Sequence, residues 1–177
     1  MTQSIIYRIL PALAFLLVVF IETSFASNTC DPRLVHRAKT GDVNAQSYIA
    51  HIYSSGKTGE QDYKKARYWY QKVATHKTAD AKIKGHANLL LGLMYNSGKG
   101  GTQNYEQAMK CFRTAAKQGY YDAHISIGNM YAQGQGVKKD YEKALFWWKL
   151  AAENGHPKAP KLVYLMQKEM GQTKKSG

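Results

Sequence analysis

The stretch from Gly92 to Gly100 contains the residue types closest to those of a phosphate-binding loop. Such a loop has four residues between its first glycine and a Gly-Lys pair, and a serine or threonine after the lysine binds magnesium. Here five residues separate Gly92 from Gly98, and Gly100 follows Lys99. Glycines also recur at the equivalent place elsewhere in the chain. The stretch therefore predicts a turn and no nucleotide site.

Other residue types that perform chemistry lack the required spacing. The chain has six histidines but no H-E-x-x-H motif and no two histidines four residues apart, so a helical zinc pair is missing. No serine lies in a G-x-S-x-G elbow, and the acidic residues form no evident catalytic pair. The sequence predicts no catalytic residue, no metal, no cofactor and no enzyme.

Aromatic residues recur in register and could stack on a carbohydrate. They are Tyr53, Tyr95 and Tyr131, then Tyr63, Tyr105 and Tyr141, and the tryptophans Trp69, Trp147 and Trp148. Because they repeat at helical spacing, core packing is the favoured interpretation. Tyr120 and Tyr121 fall in a turn between copies, and we expect them to be exposed.

Those residues belong to an internal repeat with three copies, which begin at Ala45, Ala87 and Ala123. Each copy has a tyrosine eight residues later, then a glycine, then an Asp-Tyr or Asn-Tyr pair. Apolar residues at helical spacing predict two helices joined by a glycine loop, and the Asp or Asn of each pair is expected to cap the second helix. The small residues inside the first helices, Gly92 and Gly128, indicate a close approach of two helices.

The pattern A-x-x-x-[LI]-[GA]-x-x-Y-x-x-G, followed by [DN]-Y-x-x-A-x-x-W-[YW], resembles the Sel1-like repeat of the tetratricopeptide-like class. The third copy matches throughout, whereas Cys111 stands where the second copy should have tryptophan. The resemblance implies an all-α fold, a short α-solenoid of antiparallel helix pairs. The predicted segments are a signal peptide (1–26), a capping half-repeat (27–44), repeats at 45–86, 87–122 and 123–158, a capping helix (159–170) and a disordered basic tail (171–177).

The first residues are typical of a secretory signal peptide. Arg8 precedes an apolar run, and Ser24 and Ala26 supply the small residues of a cleavage site after Ala26. An uncleaved anchor is the alternative, although Pro11 shortens the run below a comfortable bilayer span. After cleavage no stable transmembrane segment is expected, and the protein would be periplasmic or secreted.

The chain of 177 residues carries a formal net charge of +13. Removal of residues 1–26 takes away only Arg8 and Glu22, so the charge belongs to the mature chain. Lysines lie near the starts of second helices, as in Lys64, Lys65 and Lys143, and a solvated face is the usual explanation. Nucleic acid is not expected as a partner, because arginine clusters and known binding motifs are missing.

The two cysteines, Cys30 and Cys111, lie about two repeats apart. Repeats contact mainly their neighbours, so a disulfide between them is not expected. Cys111 should be a packed thiol, while a bond from Cys30 to a second chain stays open.

Solenoids of helix pairs bind partners on the face formed by their first helices. Outward positions of these helices predict a partner-binding set: His51, Leu89, Leu93, Asn96, Ile125, Asn129 and Gln133. Leu89, Leu93 and Ile125 are apolar where solvent is expected, which favours a docking surface unless the face is assigned one position wrongly.

The sequence thus predicts an exported, non-catalytic scaffold that binds a protein or peptide. The alternative is binding of an anionic envelope polymer, peptidoglycan or an acidic polysaccharide, through the basic surface.

Overall fold

The computed structural model describes residues 31–57, 59 and 61–173, with side chains through 171, and this part of the chain is entirely helical. The predicted signal peptide, Cys30 and the last four residues lie outside the described residues. The helices are α1 (Pro32–Lys39), α2 (Val43–Ser55), α3 (Tyr63–Ala74), α4 (Ala81–Ser97), α5 (Tyr105–Lys117), α6 (Tyr121–Gln133), α7 (Tyr141–Glu153) and α8 (Ala159–Thr173).

Each helix packs mainly on the helices that precede and follow it in the chain. The pairs α2/α3, α4/α5 and α6/α7 are the three repeats, with α1 before them and α8 after them. The buried core is correspondingly divided into clusters along the array. The α-solenoid predicted from the sequence is confirmed.

The loop inside each repeat is built in the same way. The first helix ends at a left-handed glycine, with φ of 68° at Gly56, 72° at Gly98 and 72° at Gly134. The carbonyl of the preceding tyrosine then accepts the N–H of the residue that caps the second helix, over 2.9 Å from Asn104 to Tyr95 and from Asp140 to Tyr131. These glycines therefore serve the turn, because only glycine adopts this φ without cost.

The second helices begin at the predicted capping residues. The side chains of Asp62, Asn104 and Asp140 each accept an N–H from the third residue beyond, at 2.9 Å. Such a cap satisfies a backbone donor that has no partner within the helix. The same hydrogen bonds lower the pKa of the Asp62 and Asp140 carboxyl groups.

Gly92 and Gly128 allow the two helices of a repeat to touch. A Cβ atom added to Gly92 would lie 2.5 Å from the Phe112 ring, and one on Gly128 would collide with the indole of Trp148. The predicted close approach is confirmed, and the aromatic ring of the second helix takes the space that a side chain would need.

Helix α4 has 17 residues and is longer at its start than α2 and α6, which have 13 residues each. Asp80 caps this helix, and Gly85 lies so close to Tyr120 that an added Cβ would be 2.6 Å from its ring. The hydroxyl of Tyr120 donates to the carbonyl of Lys82 over 2.8 Å. Tyr120 is therefore half buried, contrary to the expectation of exposure, whereas Tyr121 is exposed.

The carboxyl end also differs from the expectation. Helix α8 continues to Thr173, so the first residues of the segment expected to be a disordered tail are helical. Within the described residues, no helix has the length and apolar character needed to cross a bilayer.

Candidate functional site

The first helices of the second and third repeats enclose a cleft of about 140 Å³. Leu93 and Asn96 of α4 form one wall, and Asn129 and Gln133 of α6 form the other. Phe112 of α5 lies at the floor, where it is 1% exposed. The structure thus brings together four of the seven residues that the sequence assigns to partner binding.

The cleft combines an apolar side chain with a side-chain amide oxygen that has no hydrogen-bond partner. Leu93 is 46% exposed and gives the cleft an apolar side chain on one wall. The side-chain Oδ1 of Asn96 is buried and has no hydrogen-bond partner among the described residues. A buried polar atom without a partner costs free energy, and a bound N–H would recover it. The cleft therefore suits a peptide that presents both an apolar group and backbone donors.

The remaining predicted residues lie at three depths. His51 on α2 is exposed on the same side of the array, and Ile125 on α6 is half buried. Leu89 is only 7% exposed and packs in the core with Ala115, Ala123 and Ile127. The expectation that Leu89 faces solvent is wrong.

The error at Leu89 has a geometric cause. A first helix in a solenoid contacts its own second helix and also the helices of the next repeat, so its buried arc is wider than a two-helix stripe. On α4 from His86 onward, only His86, Leu93 and Ser97 are exposed. The outward positions of the repeat are thus those of Leu93 and Ser97, and not that of Leu89.

Tyr48 of α2 belongs to this face, and it is not among the residues that the sequence predicts to bind a partner. It is 48% exposed, and Asn44, His51 and Ser55 complete the same stripe. Their spacing of four, three and four residues follows one side of a helix. That spacing was readable in the sequence and predicts Tyr48 as an exposed aromatic residue.

A larger cleft of about 430 Å³ lies between the second helices α3 and α5, with α4 as its floor. Leu91 and Cys111 form its apolar bottom, while Lys72 and Lys110 stand among its walls. Cys111 is a free buried thiol, and burial raises its pKa to about 11. Sequence reasoning noticed the cysteine but did not assign a cleft to it.

The equivalent groove between α5 and α7 measures about 360 Å³. There Trp147 stands at the position of Cys111 and stacks on His124, with ring centroids 5.5 Å apart. His124 is buried, and desolvation lowers its pKa. The two grooves are therefore formed by equivalent helices but are lined by different side chains.

Some lysines of the basic surface form ion pairs with nearby aspartates. Lys65 pairs with Asp62 at 3.0 Å and Lys143 with Asp140 at 2.9 Å, and both also lie over tyrosine rings. Such exposed pairs contribute little to stability, because water screens them. They nonetheless fix the lysines near the helix starts and reduce the charge that faces outward.

Among the described residues, no three His, Cys, Asp or Glu side chains approach closely enough to hold a metal ion.

Another cleft, of about 730 Å³, lies where the loop of the second repeat meets the start of α3. Its lining includes Tyr63, Lys64, Gly100 and Gly101. It is larger and more open than the cleft beside Leu93.

Comparison with known proteins gives a consistent match. A family model described as the Sel1 repeat matches residues 43–76, 85–120 and 122–156. A crystal structure of a Sel1 repeat protein from Oxalobacter formigenes is 34% identical, covers 71% of this chain and 49% of its own, and has a TM-score of 0.61. A protective antigen of uropathogenic Escherichia coli with an SLR fold is 31% identical, with coverages of 72% and 26% and a TM-score of 0.60.

This chain therefore spans about half the length of the first structure and about a quarter of the second. No curated protein matches the chain.

Proposed function

Because the chain belongs to the Sel1 repeat family, we propose that it is an exported, non-catalytic scaffold that binds a protein partner through its first-helix face. Sel1 repeats typically mediate protein–protein interaction. The fold itself names no partner, since binding residues are grafted on a shared framework.

The observation that carries this proposal is the cleft of Leu93, Asn96, Asn129 and Gln133. It joins an exposed leucine to a buried amide oxygen without a partner. The occupant we propose is a peptide segment whose apolar side chain covers Leu93 while a backbone N–H reaches Asn96. Tyr48 and His51 extend the same face toward the first repeat.

Export rests on the sequence of the first 26 residues. A positive residue, an apolar run and small residues before Ser27 are the features that a signal peptidase recognises. That one relative is described as a protective antigen supports exposure outside the cell for this chain too. Amino-terminal sequencing of protein recovered from the envelope or medium should begin at Ser27, and an intact Met1 would contradict cleavage.

The binding proposal is tested by affinity capture from an envelope fraction with the tagged protein and two variants. Leu93→Asp should lose the captured partner, because a carboxylate cannot be buried against an apolar side chain. Leu165→Asp is the matched control, since Leu165 of α8 is 49% exposed and lies outside the cleft. Both variants should stay within about 1 kcal/mol of the parent in urea unfolding.

Two results would contradict the proposal. One is equal capture by Leu93→Asp and the parent. The other is a stability loss in Leu93→Asp as large as that of a core substitution, which would mean that Leu93 is not a surface residue.

A second candidate is binding of an anionic envelope polymer, and the cleft beside Lys64 and Tyr63 favours it. Lys64 at an open polar surface can attract the carboxylate of an acidic sugar. Sedimentation with purified peptidoglycan tests this candidate. Binding that disappears between low and high salt would support the polymer, whereas salt-insensitive capture that depends on Leu93 would support the protein partner.

A further inference from the structure

We propose that the groove between α3 and α5 is a second docking site, which takes an aromatic side chain from an acidic segment of a partner protein. The site lies on the second-helix face, opposite in the repeat to the cleft beside Leu93, and it does not depend on the function proposed above. Its floor is Leu91 of α4 and its end is Cys111 of α5.

The shape of the occupant follows from the repeats themselves. Cys111, Trp69 and Trp147 occupy the same position of their second helices. In the third repeat the indole of Trp147 lies in the groove and stacks on His124 at 5.5 Å. In the second repeat the corresponding residues are Cys111 and Asn88, both smaller, and the groove is about 430 Å³. An aromatic ring from outside can therefore take the place that the chain fills by itself one repeat later.

The floor of the groove is suited to such a ring. Leu91 is 3% exposed and Cys111 is 8% exposed, so both are held rigidly by the core. The Tyr95 hydroxyl at the rim accepts a hydrogen bond from Gln71 over 2.8 Å. The guanidinium of Arg67 lies 3.8 Å from the centre of the Tyr95 ring and fixes its plane. The groove is thus preformed, which lowers the cost of binding.

The positive charge of the groove favours a partner segment that has acidic residues beside its aromatic residue. Lys72 and Lys110 line it, and among the described residues that surround it none is acidic. Neither lysine forms an ion pair within the part of the chain that the structure describes, and Lys72 lies 5.5 Å over the exposed ring of Tyr68. Carboxylates beside the incoming ring would meet both ammonium groups, so the partner segment combines an aromatic residue with glutamate or aspartate.

The probe is a blocked five-residue peptide with a central tryptophan and two glutamates on each side. Two control peptides replace the tryptophan by alanine or the glutamates by lysines. The full chain is used with Cys30→Ser, which leaves Cys111 as its only thiol. Calorimetric titration gives the affinity, and the rate at which Cys111 reacts with a thiol reagent reports occupancy of the groove.

We expect the acidic tryptophan peptide to bind with a dissociation constant below about 1 mM, to slow modification of Cys111, and to bind at least about tenfold more tightly than either control peptide. Cys111→Trp should place its own ring where the tryptophan of the peptide would bind and reduce the affinity at least about tenfold, while Cys111→Ala leaves that place open and retains binding. Leu93→Asp should leave binding unchanged, which separates this site from the cleft of the first helices.

Charge provides a second arm if Cys111→Trp does not fold. Replacing Lys72 and Lys110 together by glutamine should weaken the peptide about threefold or more, and replacing Lys64 and Lys138 should not, although it removes the same charge. The proposal is overturned if no peptide binds below about 1 mM. Unchanged affinity in Cys111→Trp, or equal binding of the lysine-flanked peptide, would overturn it as well.

Discussion

The groove between α3 and α5 and the groove between α5 and α7 are built from equivalent positions of consecutive repeats, yet their surfaces differ. The third repeat places Trp147 on His124 inside its groove, which measures about 360 Å³, against about 430 Å³ in the second repeat. The second repeat has Cys111 and Asn88 at those positions and leaves Leu91 at the bottom of an open cleft. The helical framework is the same because it rests on other residues, such as Gly92 with Phe112 and Gly128 with Trp148.

The comparison separates two kinds of position within a repeat. The aromatic rings that contact the glycine of the first helix, Phe112 and Trp148, hold each helix pair together. The residue one position earlier, Cys111 or Trp147, lines the groove between repeats. Substitution at the first kind should cost stability, and substitution at the second should change surface and binding. Four predictions test this separation.

The largest effect should follow from Phe112→Ala. Phe112 is 1% exposed and fills the space left by Gly92, so its loss leaves a cavity in the core and is expected to cost about 3–5 kcal/mol in urea unfolding. Phe146→Ala on α7 is the control, since Phe146 is 60% exposed and should change stability by less than about 0.5 kcal/mol. Similar losses in both variants would break the distinction.

The reactivity of Cys111 should differ strongly between folded and unfolded chain. Because burial raises the pKa of this thiol from 9.0 to about 11, its thiolate fraction at pH 8 falls about 100-fold, and modification should slow by at least that factor. The measurement is the rate of thiol labelling in the Cys30→Ser chain with and without urea. A native rate equal to the unfolded rate would mean that the groove floor is open to solvent.

Trp147→Cys gives the third repeat the side chain of the second. Trp147 is half buried and loses its stacking on His124, so we expect a cost of about 1–3 kcal/mol, smaller than that of Phe112→Ala. The His124 ring would become more hydrated, so its pKa should rise toward the ordinary value, which NMR titration measures. An unchanged His124 pKa would indicate that Trp147 does not cover this ring.

The smallest effect concerns pH. Burial lowers the pKa of His124 in the folded chain, so the unfolded chain binds the proton first. The contribution to stability is therefore present above about pH 6.5 and is lost as the pH falls through the folded pKa. His124→Asn, which introduces the side-chain type of Asn88, removes this dependence.

As the pH falls from 7.5 to 5, the parent should lose stability relative to His124→Asn. Thermal unfolding of both proteins measures this difference. A difference independent of pH would contradict the assignment to His124.

The sequence alone determined the architecture. Repeated alanines, glycines and Asp-Tyr pairs specify where helices end and where the two helices of a repeat touch. These features depend on residues within one repeat. Accordingly the caps at Asp62, Asn104 and Asp140, the turns at Gly98 and Gly134, and the approach at Gly92 are confirmed. Leu93 and Gln133 were also placed correctly at the surface, since one helix face suffices to predict them.

Which helix faces are covered by a neighbouring repeat depends on how the repeats pack together. Leu89 is buried and Tyr120 is bonded to Lys82 because each depends on helices far away in sequence. The same holds for Cys111: the sequence marked it as a departure from tryptophan, but the cleft exists because α3, α4 and α5 meet around it. Burial between repeats is a property of the array, and no single helix pattern contains it.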